Sequence, residues 1–283
     1  MNILLTGSGG FIGRNIKRFL SKKYNFLCPR SYELDLTDAN EVGHFFAENR
    51  IDFVIHCGTV GGVRGQTDES LTVEKNLDMV NNILRFKGEN VRVIVFGSGA
   101  MYDRKRNLHK VTEQEIGKII PTELYGLSKL KISEIVKSRS DMLCLNIFAC
   151  YGYDEKPSRF PSYAIGQASK GETIQINNNC VFDYLFIDDF INILDHFIEH
   201  WSNHKIINVT PTDSISLKEL ADLVNLLINN QVQVKVMNNS LGLEYTGDNK
   251  ILLEEIPDLR FTPMNVGLKK LMSYISLGCC TND

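Results

Sequence analysis

No run in the 283-residue chain approaches the eighteen or more apolar residues of a membrane-spanning helix. The start, MNILLTGSGG, is apolar for a few positions and then meets glycines. It lacks the basic flank and the long apolar region of a signal peptide. Neither sign of charge is in excess: 31 Lys and Arg against 34 Asp and Glu leave a net charge of −3, which offers no electrostatic grip on nucleic acid or an anionic membrane. The seven cysteines, Cys28, Cys57, Cys144, Cys150, Cys180, Cys279 and Cys280, form no C-x-x-C pair and have no histidine at zinc-finger spacing. No metal site is expected, and an odd, scattered set reads as reduced thiols in a cytoplasm. Internal repeats, low-complexity tracts and flexible linkers are also missing. What is there is 43% hydrophobic and 23% charged, enough for one large domain or a main domain with a smaller one folded onto it.

The apolar residues fall into short runs separated by longer segments of helical period. NILLT (2–6), NFLCP (25–29), DFVIHC (52–57), VRVIVFGS (91–98) and MLCLNIF (142–148) predict strands. Helices are expected from Phe11 to Leu20 and over about 38–49, 70–86 and 122–138. The strand runs are continuous rather than alternating, as in strands covered on both faces, which marks a parallel sheet. The β-α-β-α order therefore predicts an α/β fold, a Rossmann-like doubly wound parallel sheet. Past residue 150 the pattern loosens. YLFID, IINVT and VQVKVM read as further strands and SLKELADLVNLLI (216–228) as an amphipathic helix, a smaller C-terminal α/β region.

TGSGGFIG places Gly7, Gly10 and Gly13 between the first strand and the first helix. Such glycines permit a tight turn and let backbone N–H groups approach a pyrophosphate at a helix N-terminus. Ser8, Phe11 and Ile12 share this turn, and the strand before and helix after it point to a dinucleotide site. An NAD site places an acid at the end of the second strand; here CPRSYE puts Arg30 and Ser31 there, and Glu33 lies too far on. The expected cofactor is NADPH (NADP+). Asp35 and Leu36 suit the adenine end of the pocket.

TELYGLSKLK (122–131) sets Tyr125 and Lys129 one helical turn apart on one face. Alone the spacing is common in helices. The order glycine turn, FGSGAMY, then YGLSK resembles the extended branch of the short-chain dehydrogenase/reductase superfamily. That resemblance implies a catalytic set of Ser98, Tyr125 and Lys129, and a cofactor contact at Cys57 as well as at Tyr125 and Lys129. A phenol near pKa 10 is a poor proton donor–acceptor at neutral pH unless a cation stabilises its anion, which is the role implied for Lys129.

ELDLTDANEVGHFFAENRIDFVIHCGTVGG (33–62) and FGSGAMYD (96–103) are more closely similar to the GDP-L-fucose synthases and related nucleotide-sugar 4-ketoreductases. The resemblance makes Val60, Gly61 and Gly62 a substrate loop and places Ser98, Gly99 and Ala100 at the sugar. His56, at the end of the third strand, is read as structural. Fucose synthases epimerise before they reduce, with a cysteine two residues after the serine and a histidine further on. This chain has Ala100 at the first place and Ser158 or Arg159 at the second, so epimerisation at C3 and C5 is not expected. The Asp-Glu pair of the related dehydratases is replaced by Gly99 and Ala100. An asparagine expected before Tyr151-Gly152 is Ala149, and an arginine that grips the diphosphate is Phe182, leaving Arg159 or Lys170 for that anion.

The expectation is a cytoplasmic reductase acting on the C4 carbonyl of a nucleotide-diphosphate 4-keto sugar, GDP-linked by preference. No nucleic-acid or membrane partner is expected. Residues 1–152, joined by about 184–210, form the NADP-binding domain in this reading, and 153–183 with 211–283 the substrate-binding region. Family resemblance also implies a homodimer through helices 70–86 and 122–138. The alternatives are a nucleotide-sugar 4-epimerase with tightly bound NAD, and a non-catalytic NADP-sensing protein.

Overall fold

The computed structural model describes residues 1–63 and 65–278, so Cys279 and Cys280 lie outside the described residues. The chain begins with β1 (Asn2–Thr6), α1 (Phe11–Leu20), β2 (Asn25–Leu27), α2 (Ala39–Glu48), β3 (Phe53–His56), α3 (Thr72–Phe86) and β4 (Arg92–Ser98). It continues with β5 (Leu108–Val111), α4 (Leu124–Lys137), β6 (Met142–Ile147), β7 (Ala149–Tyr151), α5 (Phe160–Lys170), β8 (Ile174–Phe182), β9 (Tyr184–Phe186) and α6 (Ile187–Glu199). Then come β10 (Ile206–Val209), β11 (Ile215–Ser216), α7 (Leu217–Ile228), β12 (Val234–Gly247), α8 (Lys250–Glu255) and α9 (Met264–Ser276). Two compact units are formed. The first takes Met1–Lys105, Thr112–Ile147 and Asp195–Asn208; the second takes Arg106–Val111, Phe148–Leu194 and the chain from Val209 onward.

A six-stranded sheet in the order β2-β1-β3-β4-β6-β10 is the frame of the first unit. Leu4 pairs in parallel with Leu27 on one side and Val54 on the other, and the register continues through Val93 to Met142. Ile3, Leu4, Leu5, Ile55, Ile94, Leu143 and Leu145 are fully buried, as strands with both faces covered require. Each such side chain contributes about 1.5–3 kcal/mol through burial. This is the doubly wound Rossmann-like fold expected from the order of elements. Its strand order reverses between β1 and β3, which opens a crevice at their carboxyl ends.

Helix starts differ in a way that bears on that crevice. At α2 the Asp38 side chain accepts from the N–H groups of Asn40 (2.7 Å) and Glu41 (3.2 Å), an ordinary cap. At α1 the N-cap is Gly10, with no side-chain cap and no acidic residue in the first turn.

The second unit has a sheet in the order β11-β8-β12-β5 and a separate pair, β7-β9. Its polar centre is Asp183, fully buried between β8 and β9. That carboxylate accepts from Ser214 Oγ, Thr210 Oγ1 (3.1 Å), the Gly247 N–H (2.9 Å) and Lys110 Nζ (3.1 Å). Four donors offset part of the cost of burying its charge, although burial still holds its pKa above the ordinary carboxylate value, and together they tie β5, β12 and the loop before β11 to one point. Helix α7 opens with a reciprocal cap between Ser216 and Glu219. Among the described residues no helix is long and apolar enough to cross a membrane, and no group of three or more His, Cys, Asp or Glu is placed to hold a metal ion.

Candidate active site

The turn after β1 folds so tightly that only glycine fits. Gly7 has φ +65°, and a Cβ on it would stand 2.6 Å from the Gly58 nitrogen after β3. A Cβ on Gly13 would stand 2.4 Å from the Gly7 carbonyl oxygen. The start of α1, which has no side-chain cap, therefore lies beside bare backbone, an arrangement suited to an anion. Ser8 is buried here, and Phe11 and Ile12 are half-buried on the first turn of α1.

Two guanidinium groups flank the same turn. Arg30 Nη1 lies 2.2 Å from where a Gly9 Cβ would be, so the guanidinium reaches over the glycine turn. From α1, Arg14 Nη1 donates to the Gly9 carbonyl (3.0 Å). Two cations beside the start of this helix suit the phosphate groups of a dinucleotide. Ser31 is exposed next to Arg30. Asp35 is exposed too, its carboxylate held by the Thr37 N–H (2.8 Å) and Thr37 Oγ1 (2.7 Å). Leu36 is buried, and Cys57 follows β3 with its N–H on the Thr6 carbonyl (3.2 Å).

Lys129 is buried on α4 and donates from Nζ to the Phe96 carbonyl of β4 (2.9 Å). The start of α4 lies against the turn after β4, since a Cβ on Gly126 would be 2.6 Å from the Ala100 oxygen. Helix and strand thus run in opposite senses. Four residues back from Lys129, about 6 Å along the helix, brings the chain to Tyr125. Two residues on from Phe96, about 6.6 Å along the strand, brings it to Ser98. All three expected catalytic residues are therefore gathered at one end of β4 and α4. The Lys129 ammonium stands 5.5 Å from the centre of the Tyr125 ring. Burial pulls the pKa of Lys129 down to about 8, which leaves it charged at neutral pH.

Ser98 caps the short 3₁₀ turn Gly99–Tyr102, with Oγ accepting from the Ala100 N–H (3.2 Å). Gly99 and Ala100 are buried in that turn. His56 is buried, shares a 2.8 Å hydrogen bond with Thr6 Oγ1, and has its pKa lowered to about 3 by burial and by the Lys129 charge. It stays neutral and is no proton donor at physiological pH.

The Val60-Gly61-Gly62 loop reaches the same place. Buried Asn76 of α3 accepts from the Val60 N–H (2.8 Å) and donates to the Val60 carbonyl (3.0 Å) and to Ser128 Oγ of α4 (3.1 Å). Gly61 and Gly62 have φ of +82° and +83°, and a Cβ on Gly62 would be 2.9 Å from the Tyr125 ring.

Over residues 3–210 the sequence matches the NAD dependent epimerase/dehydratase family. The chain belongs to this family. It is 33% identical over 143 residues to a GDP-L-colitose synthase from Yersinia pseudotuberculosis, a match spanning 48% of this chain and 46% of that protein, so just under half the relative's length. It is 30% identical over 229 residues to a GDP-L-fucose synthase from Azorhizobium caulinodans, covering 70% of each chain. Among solved structures, the GDP-mannoheptose C4 reductase MlghC from Campylobacter jejuni with NADP bound superposes with a TM-score of 0.84 at 18% identity, covering 97% of this chain and 98% of that one. That likeness shows the shared fold.

Arg159 and Lys170, the two candidates for the diphosphate in this epimerase/dehydratase chain, both lie in the second unit, with Lys170 exposed at the last turn of α5. Arg159 is the better held of the two. It donates from Nη2 to the Cys150 carbonyl (3.0 Å) and stands 3.9 Å from the buried Glu155 carboxylate. Glu155 in turn accepts from the Ser162 N–H (3.0 Å) and Oγ (2.7 Å) at the start of α5. An open groove of about 750 Å³ also lies within the second unit, lined by Tyr184, Ser214, Leu259, Phe261 and Met264 among others, and none of the expected site residues lines it. Sequence reasoning missed Arg14, Asp68, Asn76 and Arg104. Each bonds a backbone group outside its own element, from 5 positions away for Arg14 to 57 for Asp68, and no local motif announces that.

Proposed function

We propose that the chain is an NADPH-dependent reductase of the C4 carbonyl of a nucleotide-linked 4-keto, 6-deoxy sugar, GDP-linked by preference, acting without C3/C5 epimerisation. The observation that carries this reading is the buried Lys129 ammonium 5.5 Å from the Tyr125 ring, beside the turn that Ser98 caps. The Lys129 charge would favour the phenolate form of Tyr125, so that the phenol gives up its proton more readily. Ser98 Oγ donates to the substrate carbonyl oxygen and holds it at the phenol. When bound, the reduced dinucleotide supplies hydride to C4, and Tyr125 then gives its Oη proton to the new alkoxide. Arg30, assisted by Arg14, would hold the 2′-phosphate, and the Gly7–Gly13 turn the pyrophosphate.

Val60, Gly61, Gly62, Gly99 and Ala100 are assigned to the sugar, and Arg159 to the diphosphate. Ala100 has no exchangeable proton and His56 stays neutral, which supports reduction without epimerisation. The names of the colitose and fucose synthases support a GDP sugar. Self-association through α3 and α4 belongs to the same reading: Val73, Leu77, Leu84, Leu124, Leu127 and Ile135 are all half-exposed on those helices.

The test is loss of NADPH absorbance with 6-deoxy-4-keto sugars on GDP, CDP and dTDP, beside NADH and Tyr125→Phe. Turnover with one nucleotide, cut by about 10²–10⁴-fold in Y125F, is expected. A Y125F protein with most of its activity would overturn the assignment. No turnover, together with NAD that survives desalting, would point instead to a 4-epimerase.

A further inference from the structure

Asp68 lies in the loop between β3 and α3, and its carboxylate binds two backbone N–H groups. Oδ1 accepts from Gly62 (2.8 Å) and Oδ2 from Tyr125 (2.8 Å), 57 positions later in the chain. Tyr125 is the second residue of α4, so its N–H is one that the helix leaves without a partner of its own. Glu123, at the N-cap, makes no side-chain cap. A distant carboxylate thus takes over the capping role and sets a negative charge at the positive end of the helix.

The second bond of the same carboxylate acts on the tyrosine ring. Gly62 lies against that ring, 2.9 Å from Cγ, Cδ2 and Cε2 measured at the position its Cβ would take. Asp68 grips the Gly62 N–H, and Arg104 Nη1 donates to the Gly62 carbonyl (3.4 Å). Arg104 is itself paired with Glu123, the residue just before α4. The Gly62 peptide is therefore held at both ends, with the phenol ring beneath it. A shift of the loop and a shift of the ring are one motion, and Asp68 joins them.

We infer that Asp68 is a positioning residue for Tyr125: it fixes the start of α4 and the Gly62 peptide together, and so sets where the phenol hydroxyl stands during proton transfer. This rests on the reading of Tyr125 as the proton donor. Asp68→Asn in the full chain keeps the shape and one acceptor but loses the charge and the second acceptor. The expected result is kcat lower by about 10- to 100-fold, as for a small misplacement of a reacting group, with KM for NADPH and the keto sugar within about twofold. The solvent deuterium isotope effect on kcat should rise, because the misplaced phenol makes proton transfer the slow step. Asp68→Glu, which keeps the charge and both acceptors, should recover most of kcat.

In the Y125F background D68N should cost nothing further, whereas a role in general stability would slow both backgrounds alike. Equal losses in both, an unchanged kcat, or a raised KM at constant kcat would overturn the inference. Where Y125F turnover is below detection, the isotope effect decides: an unchanged value in D68N overturns it. If D68N fails to fold, Arg104→Met, which frees the other end of Gly62, is read by the same measurements. A Y125F protein that works normally removes the catalytic reading itself, and that outcome is visible before any Asp68 variant is made.

Discussion

Lys129→Met tests whether the site holds a charge that the fold alone would not choose. Burial lowers the pKa of Lys129 from 10.5 to about 8. At about 1.36 kcal/mol per pKa unit, keeping the ammonium protonated inside the protein costs about 3 kcal/mol near neutral pH. Between pH 8 and 10.5 the unfolded chain holds a proton that the native chain has released, so native stability rises with pH through that window. Methionine fills a similar volume and does not titrate. The stability of wild type minus that of K129M should therefore shift by roughly 2–3 kcal/mol in favour of wild type between pH 7 and pH 10. Parallel urea unfolding of the two cofactor-free proteins at unit steps of pH measures it, with Tyr125→Phe present in both so that the phenol beside Lys129 does not contribute. A difference that stays flat across the range would refute the buried-ammonium argument, and with it the reason for a tuned phenol. In turnover, kcat/KM for NADPH should fall above about pH 8 in wild type as Lys129 loses its proton.

Arg30→Ala should lower kcat/KM for NADPH by about 10- to 100-fold, the worth of a charge-assisted hydrogen bond of about 1.5–3 kcal/mol, and leave NADH within twofold. Equal losses with both cofactors would mean that Arg30 does not read the 2′-phosphate. Light scattering should give twice the 32.1 kDa chain mass for wild type and once that mass for Leu77→Glu with Leu127→Glu. A monomeric wild type at micromolar concentration would dismiss the helix-paired dimer.

The large sheet was legible because its strands announce themselves. NILLT, DFVIHC and MLCLNIF each hold an unbroken apolar run, ILL, FVI and MLCL, as a strand covered on both faces requires, and all three form internal strands of the sheet. The glycine turn was legible because Gly7 and Gly13 are fixed by contacts of the backbone itself, independent of what surrounds them. The second unit hid itself for equally physical reasons. In β8, INNNCV breaks the apolar run with three asparagines, and in β12 register shifts between Asn238 and Glu244 spoil any period of two. Strand β5 is four residues long and includes Lys110 at φ +43°, a conformation no strand propensity favours. Within the site, the spacing of Tyr125 and Lys129 was readable from helix geometry. Asp68 was not, because its two partners stand 6 and 57 positions away and both are backbone groups.

The pairing of β5 with β12 sets a clock on the chain's synthesis. Leu108 pairs with Tyr245, 137 positions later. At 5–20 residues per second a ribosome needs about 7–27 s to make that stretch. Until it has done so, Leu108 and Val111 have emerged without the strand that will bury them, in a segment interrupting the first unit. Asn208, whose side chain receives the Tyr102 hydroxyl (2.9 Å), arrives 106 positions after its partner. Until β12 is made, β5 has no strand to pair with, and that interval is the stage of synthesis at which aggregation is favoured.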